Sequence, residues 1–294
     1  MIQLEHVSKF VLKDVNLYIP QGKAVGLIGK SGAGKTTMLK LISGLLSPDE
    51  GRVSTLGHCP VKYRKKYGRD ISAFFAGIPL LEPEESVRCG FEMIAAVYGM
   101  SKTEYQSTYA ELAQALGFGR YEEQKGKDLS LGQRMRAELG ATLLYSPSLL
   151  LLDEPTIGLD QEAKEVFREL LQAKVREGMT LVVSSHDMNE VSHLCDRLAV
   201  LHKGKLVFYG DESGLHRRQN SLQTMKIRID GAFPDLGDIP FCQYTVENDL
   251  LTITYSSNYI TSAEILRQIM NQTTIGEFVI RGADLGEAIS QSFE

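Results

Sequence analysis

The sequence predicts an α/β chain. A mostly parallel sheet core with antiparallel N-terminal strands and a helical subdomain is followed by a small α+β domain. Three observations predict it. Residues 29–37 read Gly-Lys-Ser-Gly-Ala-Gly-Lys-Thr-Thr, between an apolar run at 24–28 and a helical pattern at 35–43. Apolar runs of strand length recur at 149–152 and 180–184, separated by a helical pattern, and strands that alternate with helices pair in parallel. The composition then shifts near 211–222, beyond which strand patterns dominate.

Taken in order, residues 1–24 alternate apolar and polar (Ile2, Leu4, Val7, then Val15, Leu17, Ile19) and read as antiparallel strands joined near Phe10. Ser-Pro-Asp-Glu-Gly at 47–51 is a turn into a strand at 51–56. Residues 86–116 read as largely helical, with Leu112, Ala115 and Leu116 at helical spacing. Residues 162–176 place Ala163, Val166, Phe167, Leu170 and Leu171 on one helical face. In the second domain, strands are expected at 224–229, 242–246, 250–255 and 275–280. A helix is expected at 261–271, capped by Thr261 or Ser262, and a short closing helix at 284–293. The domain boundaries are 1–215, with the helical subdomain at about 70–145, and 221–294.

A chain of 294 residues has room for one large and one small domain. Its net charge of −5 advertises no basic surface, so no nucleic-acid partner is expected. Met1-Ile2-Gln3-Leu4-Glu5 lacks the regions of a signal peptide. No apolar run approaches the ~20 residues of a membrane span. Cys59, Cys89, Cys195 and Cys242 form no C-x-x-C pair, which reads as reduced thiols in a cytosolic protein.

The chemistry is concentrated in the glycine loop, which matches G-x-x-x-x-G-K-[ST] at Gly29, Gly34, Lys35 and Thr36. Backbone N–H groups of Gly29, Lys30, Ser31, Gly32, Ala33, Gly34 and onward to Thr37 can converge on phosphate oxygens at a helix N-terminus. Lys35 would reach the β- and γ-phosphates, and the Thr36 hydroxyl would ligate Mg²⁺. The apolar strand at 149–152 ends in Asp153-Glu154. Asp153 suits the metal, and Glu154 suits the orientation or deprotonation of an attacking water. ATP and Mg²⁺ are the cofactors expected.

Leu129-Ser130-Leu131-Gly132-Gln133-Arg134 resembles the L-S-G-G-Q signature of ABC transporter ATP-binding subunits. Gly158-Leu159-Asp160 and His186 resemble that family's D-loop and switch histidine, in the family's order. The resemblance spans residues 2 to about 215 and implies a phosphate-loop NTPase fold of ABC type. It implies that Ser130, Gly132, Gln133 and Asp160 help bind ATP, that His186 acts at the γ-phosphate, and that two copies sandwich each nucleotide head to tail. Ser130 with Gln133 is also a capping box opening a helix, and both roles can hold. Phe10 either stacks on adenine, as the family's early aromatic does, or packs in its hairpin.

Two departures stand out. The family places a glutamine in a loop before the signature, yet the chain has no Gln between Gln21 and Gln106. By analogy Gly77, in the stretch 71–79, holds its place, leaving water or an acid such as Glu82 to substitute. Leu131 replaces the first signature glycine. The surrounding run is similar to a branch of ABC-2-type exporter ATPases that carry leucine there and a small C-terminal domain.

The expected function is therefore an ATPase that dimerises on ATP and powers export through a separate membrane permease, gripped by residues between about 70 and 125. Such a chain would sit on the cytoplasmic face of the membrane through that partner, and the resemblance implies a homodimer. The alternative is a non-transport or regulatory ABC ATPase in the cytosol. There is no room for the coiled coil of DNA-repair members and one phosphate loop only, unlike translation-factor members.

Overall fold

The structure is a computed structural model that describes residues 1–215, 222–234, 242–257 and 259–282. The chain divides into two compact units, Met1–Tyr209 and Gly210–Glu294.

In the first unit, β1 (Ile2–Lys9), β2 (Leu12–Ile19) and β4 (Glu50–Thr55) form an antiparallel sheet in the order β2-β1-β4. β2 alternates buried and exposed positions, as a strand with one face in the core must. A six-stranded sheet holds β3 (Ala24–Ile28), β5 (Ile71–Phe75), β6 (Leu149–Asp153), β7 (Thr180–Ser185), β8 (Arg197–His202) and β9 (Lys205–Gly210), in the order β5-β6-β7-β3-β8-β9. The pairs β5–β6, β6–β7, β7–β3 and β3–β8 are parallel. Every residue of β3, β6 and β7 is buried. That is why these strands read as unbroken apolar runs and not as alternations.

Helices α1 (Lys35–Ile42), α2 (Pro60–Tyr67), α3 (Val87–Tyr98), α4 (Lys102–Leu116), α5 (Leu131–Leu143), α6 (Gln161–Arg176) and α7 (Met188–Ser192) complete the unit. α6 buries Ala163, Phe167 and Leu171, the stripe its periodicity predicts. The largely helical stretch expected over 86–116 forms as two helices, α3 and α4. Gly99 ends α3 in the left-handed conformation at φ 61°, and Ser101 with Glu104 opens α4 through a capping box. The stretch 71–79, matched by the family resemblance to the loop that carries the glutamine, begins with β5, which joins the core sheet. β8, β9 and α2 carry no expectation from the sequence reading.

The second unit has an antiparallel sheet of β10 (Leu222–Ile229), β11 (Cys242–Glu247), β12 (Leu250–Ser256) and β13 (Ile275–Gly282), in the order β11-β12-β10-β13. Helix α8 (Ser262–Met270) packs Ile265 and Ile269 against Met225, Ile227, Leu251 and Ile253. Thr261 is its cap, in a reciprocal box with Glu264. The closing helix expected at 284–293 lies outside the described residues.

Candidate nucleotide site

Register fixes the site. In the parallel core Asp153 lies opposite Ser184, and Ile28 opposite Ser185. The segments that follow β3, β6 and β7 therefore emerge side by side at the carboxyl edge, where open α/β sheets bind ligands. Residues 29–34 follow β3, Glu154 follows β6 and His186 follows β7.

The loop depends on its glycines. Gly32 and Gly34 have φ of 81° and 109°, a region open to glycine and costly for other residues. A Cβ on Gly34 would also strike the Leu12 side chain, and one on Gly29 the Leu201 carbonyl. Helix α1 starts without a side-chain cap, so its first N–H groups are available to an anion. Lys35 is buried beneath the loop. Its Nζ donates to the Gly29 carbonyl at 2.6 Å and lies 3.3 Å from a Glu154 carboxylate oxygen.

Asp153 is buried, and both carboxylate oxygens accept hydroxyl donors: Thr36 at 2.7 Å and Ser184 at 2.5 Å. Glu154 is one of the non-glycine residues with positive φ, at 50°. Such strain collects where surrounding structure imposes it, often at functional sites. Here the Glu154 N–H donates to both the carbonyl and the hydroxyl of Ser184. The carboxylate is thereby turned back over the loop. His186 Nδ1 lies 2.9 Å from its second oxygen, as an N–H donating to a carboxylate would. A cleft of about 700 Å³ is bounded by Val11, the loop residues Lys30, Ser31, Gly32, Ala33, Gly34, Lys35, Thr36 and Thr37, and by Glu154, Ile157 and His186.

The donor set suits nucleotide phosphates and a magnesium ion. Among the described residues no group of three or more metal-ligating side chains occurs. Magnesium on a nucleotide needs only one or two protein ligands, because phosphates and water supply the rest. The Thr36 hydroxyl beside the Asp153 carboxylate fits that demand.

Other sequence-predicted residues stand apart from the cleft. Phe10 is 73% exposed at the β1–β2 turn, with Lys9 Nζ 4.9 Å from its ring; the next residue, Val11, lines the cleft. Ser130 accepts from the Gln133 N–H, and the Gln133 side chain accepts from the Ser130 N–H, so the box is formed. Gly132 abuts the Gly158 carbonyl. Asp160 caps α6 through the Ala163 N–H and takes both its oxygens to Arg136 at 2.8 and 2.9 Å. The Ala163 bond, then Arg136, holds its carboxyl below the usual range. Leu131 lies over Gly158, where a Cβ would come within 2.8 Å of the leucine side chain and φ is 87°. Neither Gly77 nor Glu82 lines the cleft.

Sequence reasoning missed Ser184, Glu190 and Arg136. Glu190 accepts from Thr156, Ser185 and Lys164 at 2.8, 2.9 and 2.6 Å, tying the segment after β6 to the end of β7. Burial pushes its carboxyl up, but these three donors more than offset that and hold it low. The available signal was two serines ending an apolar strand, since hydroxyls buried there need partners.

Comparison with known proteins follows the same lines. The family model described as ABC transporter matches residues 12–157. Over 210 residues the chain is 32% identical to the ABC transporter ATP-binding protein NatA of Bacillus subtilis (strain 168), covering 71% of this chain and 85% of that one. Over 229 residues it is 34% identical to Nod factor export ATP-binding protein I of Burkholderia orbicola (strain AU 1054), covering 77% and 74%. A solved dimer of an ATP-binding cassette in a post-hydrolysis state, bound to ADP and Pi, matches with a TM-score of 0.65 and 28% identity. That match covers 72% of this chain and 98% of the other.

Proposed function

The chain belongs to the ABC transporter family as an ATP-binding, ATP-hydrolysing subunit, and on that premise we propose that two copies close on ATP and power export through a separate membrane permease. The observation that carries this reading is the convergence of Lys35, Glu154 and His186 over one glycine loop, with Asp153 and Thr36 beside them.

In this reading the loop N–H groups and Lys35 bind the β- and γ-phosphates. Glu154 takes the proton of the attacking water, and His186 holds Glu154 and the γ-phosphate in line. Magnesium held by Thr36 and Asp153 would supply charge neutralisation at the phosphate oxygens. Phosphoryl transfer of this kind depends on positioning and electrostatics, which a pre-formed cleft supplies. Phe10, exposed beside the cleft wall, is free to meet the adenine. Ser130, Gly132 and Gln133 lie outside their own chain's cleft. That supports their acting on nucleotide held by a second copy, with Asp160 at the same junction.

Among the described residues no helix is long and apolar enough to cross a membrane. A candidate place for the permease is an apolar groove of about 540 Å³ walled by Tyr63, Tyr67, Phe75, Ile78, Tyr98 and Tyr145. Tyr63 and Ile78 are about half exposed there, a surface that suits an amphipathic helix of the permease. Export is the direction named for the Nod factor relatives, and the chain's own cargo would be set by its permease. The subunit would then work on the cytoplasmic face of the membrane.

Tagged Glu154→Gln protein, expressed in its own host and captured from gently solubilised membranes with ATP and Mg²⁺, tests this. A polytopic membrane protein held in stoichiometric amount is expected. Soluble partners alone from a verified membrane fraction would overturn the transporter reading in favour of a cytosolic ATPase.

A further inference from the structure

Among the described residues three charged side chains are buried: Lys35, Asp153 and Glu138. The first two belong to the nucleotide cleft. Glu138 does not. It lies within α5, the helix that Ser130 opens, and is 3% exposed. Its carboxylate accepts the Leu80 N–H at 2.7 Å and the Leu81 N–H at 3.4 Å. Its partners are thus backbone donors of a loop 57 and 58 residues away in sequence. A buried carboxylate is costly without ion-pair support, and an apolar side chain of similar volume is commonly no worse for stability. The acid's use is therefore sought in what it joins.

The loop it holds follows β5. Ile78 N–H donates to the Phe75 carbonyl and closes a turn whose third residue, Gly77, has φ of 84°. That position favours glycine in a turn. A glutamine there would be strained, and no side chain from Gly77 can report on the nucleotide. Immediately beyond, Ile78 and Leu80 line the apolar groove, and Ala141, one turn past Glu138 on α5, lines it too. The helix is a rod with Ser130 at one end, Glu138 near its middle and the groove-lining Ala141 near the other end. The 8 positions from Ser130 to Glu138 span roughly 12 Å at the helical rise.

Resting on the function proposed above, we propose that Glu138 is the positioning residue that couples the signature helix to the docking groove. Movement of α5 when Ser130 meets nucleotide on a second copy is delivered through the carboxylate to the Leu80–Leu81 backbone. The connection stands where the family uses a glutamine side chain.

The chain contains no tryptophan, so Ile78→Trp supplies a single reporter on the groove wall. In a Glu154→Gln background, which prolongs the ATP state, emission is read as ATP and Mg²⁺ are added, alongside ATP binding by equilibrium dialysis. The expected result is an ATP-dependent emission change with Glu138 present. It should fall at least ~5-fold in Glu138→Gln while ATP affinity stays within ~3-fold, as loss of a coupling and not of a binding contact requires. Glu138→Met, uncharged and of similar length, is the second variant should the amide fail to fold. An unchanged emission response in a variant that binds ATP overturns the proposal, and so does absence of any response in the Glu138 parent that binds ATP. Failure of that parent to bind ATP would overturn the proposed function itself, and the dialysis separates the two.

Discussion

Replacing Glu154 with Gln separates the base role proposed for this carboxylate from the contact it makes with Lys35. The side chain keeps its shape, and any residue but glycine meets the same backbone strain at φ 50°, so stability should change little. The charge is lost, and with it the acceptor for a water proton. General-base action contributes typically ~10²–10⁴-fold, so kcat should fall by at least ~10²-fold, about 2.7 kcal/mol of transition-state stabilisation. One of the Glu154 oxygens also lies 3.3 Å from the Lys35 Nζ. At an effective dielectric of about 20, that separation corresponds to ~5 kcal/mol of gross Coulomb attraction. Desolvation and solvent screening leave a net nearer ~1 kcal/mol for a pair whose acid keeps solvent access. ATP must draw Lys35 away from that acid. Neutralising the acid therefore frees the lysine, and ATP should bind about 2- to 10-fold more tightly, ~0.4–1.4 kcal/mol. Phosphate release gives the first quantity and equilibrium dialysis with Mg²⁺ the second. Hydrolysis within threefold of the parent would refute the base assignment. Weaker ATP binding would refute the competition for Lys35.

Ser130→Ala and Ser130→Gly differ in their effect on α5. Loss of the cap costs ~0.5–2 kcal/mol in the alanine variant and only a few tenths in the glycine variant, read as urea midpoints. Both lack the hydroxyl, so both should lose hydrolysis; an active glycine variant would reduce Ser130 to a cap. Burial pushes the Glu138 carboxyl above its ordinary 4.5, against the lowering by its two N–H donors and Arg134. Since the unfolded chain releases that proton first, this group makes stability fall as pH rises from about 4.5 through the raised value. Glu138→Gln should flatten that slope in urea titrations across the window, and an unchanged slope would place the titration elsewhere.

Much of the site was legible because its parts are local. Gly29 to Thr37 is one contiguous loop, and strand, loop and helix can be read from adjacent residues. Asp153 and Glu154 announce themselves by ending a run of leucines. Capping boxes at Ser130 and Thr261 need only residues three apart, and both form. Other features were only partly legible: the largely helical stretch over 86–116 forms as α3 and α4, but its spacing did not mark the break at Gly99, and the five residues of β5, Ile71 to Phe75, received no strand assignment.

The sequence by itself determined the phosphate loop, the acidic strand end and the alternation of strands and helices that gives a parallel core. Each rests on backbone conformation or periodicity within a few residues, which neighbouring side chains dictate. Only the tertiary structure decided which groups meet. Ser184 reaches Asp153 across 31 positions, Arg136 reaches Asp160 across 24, and Glu138 reaches Leu80 across 58. These pairings are set by strand register and by where α5 packs. A one-residue slip along β7 would turn Ser184 to the other face of the sheet, away from Asp153. Such contacts are properties of the assembled sheet and helices, because no local pattern in the chain encodes which distant hydroxyl or amide will satisfy a buried acid.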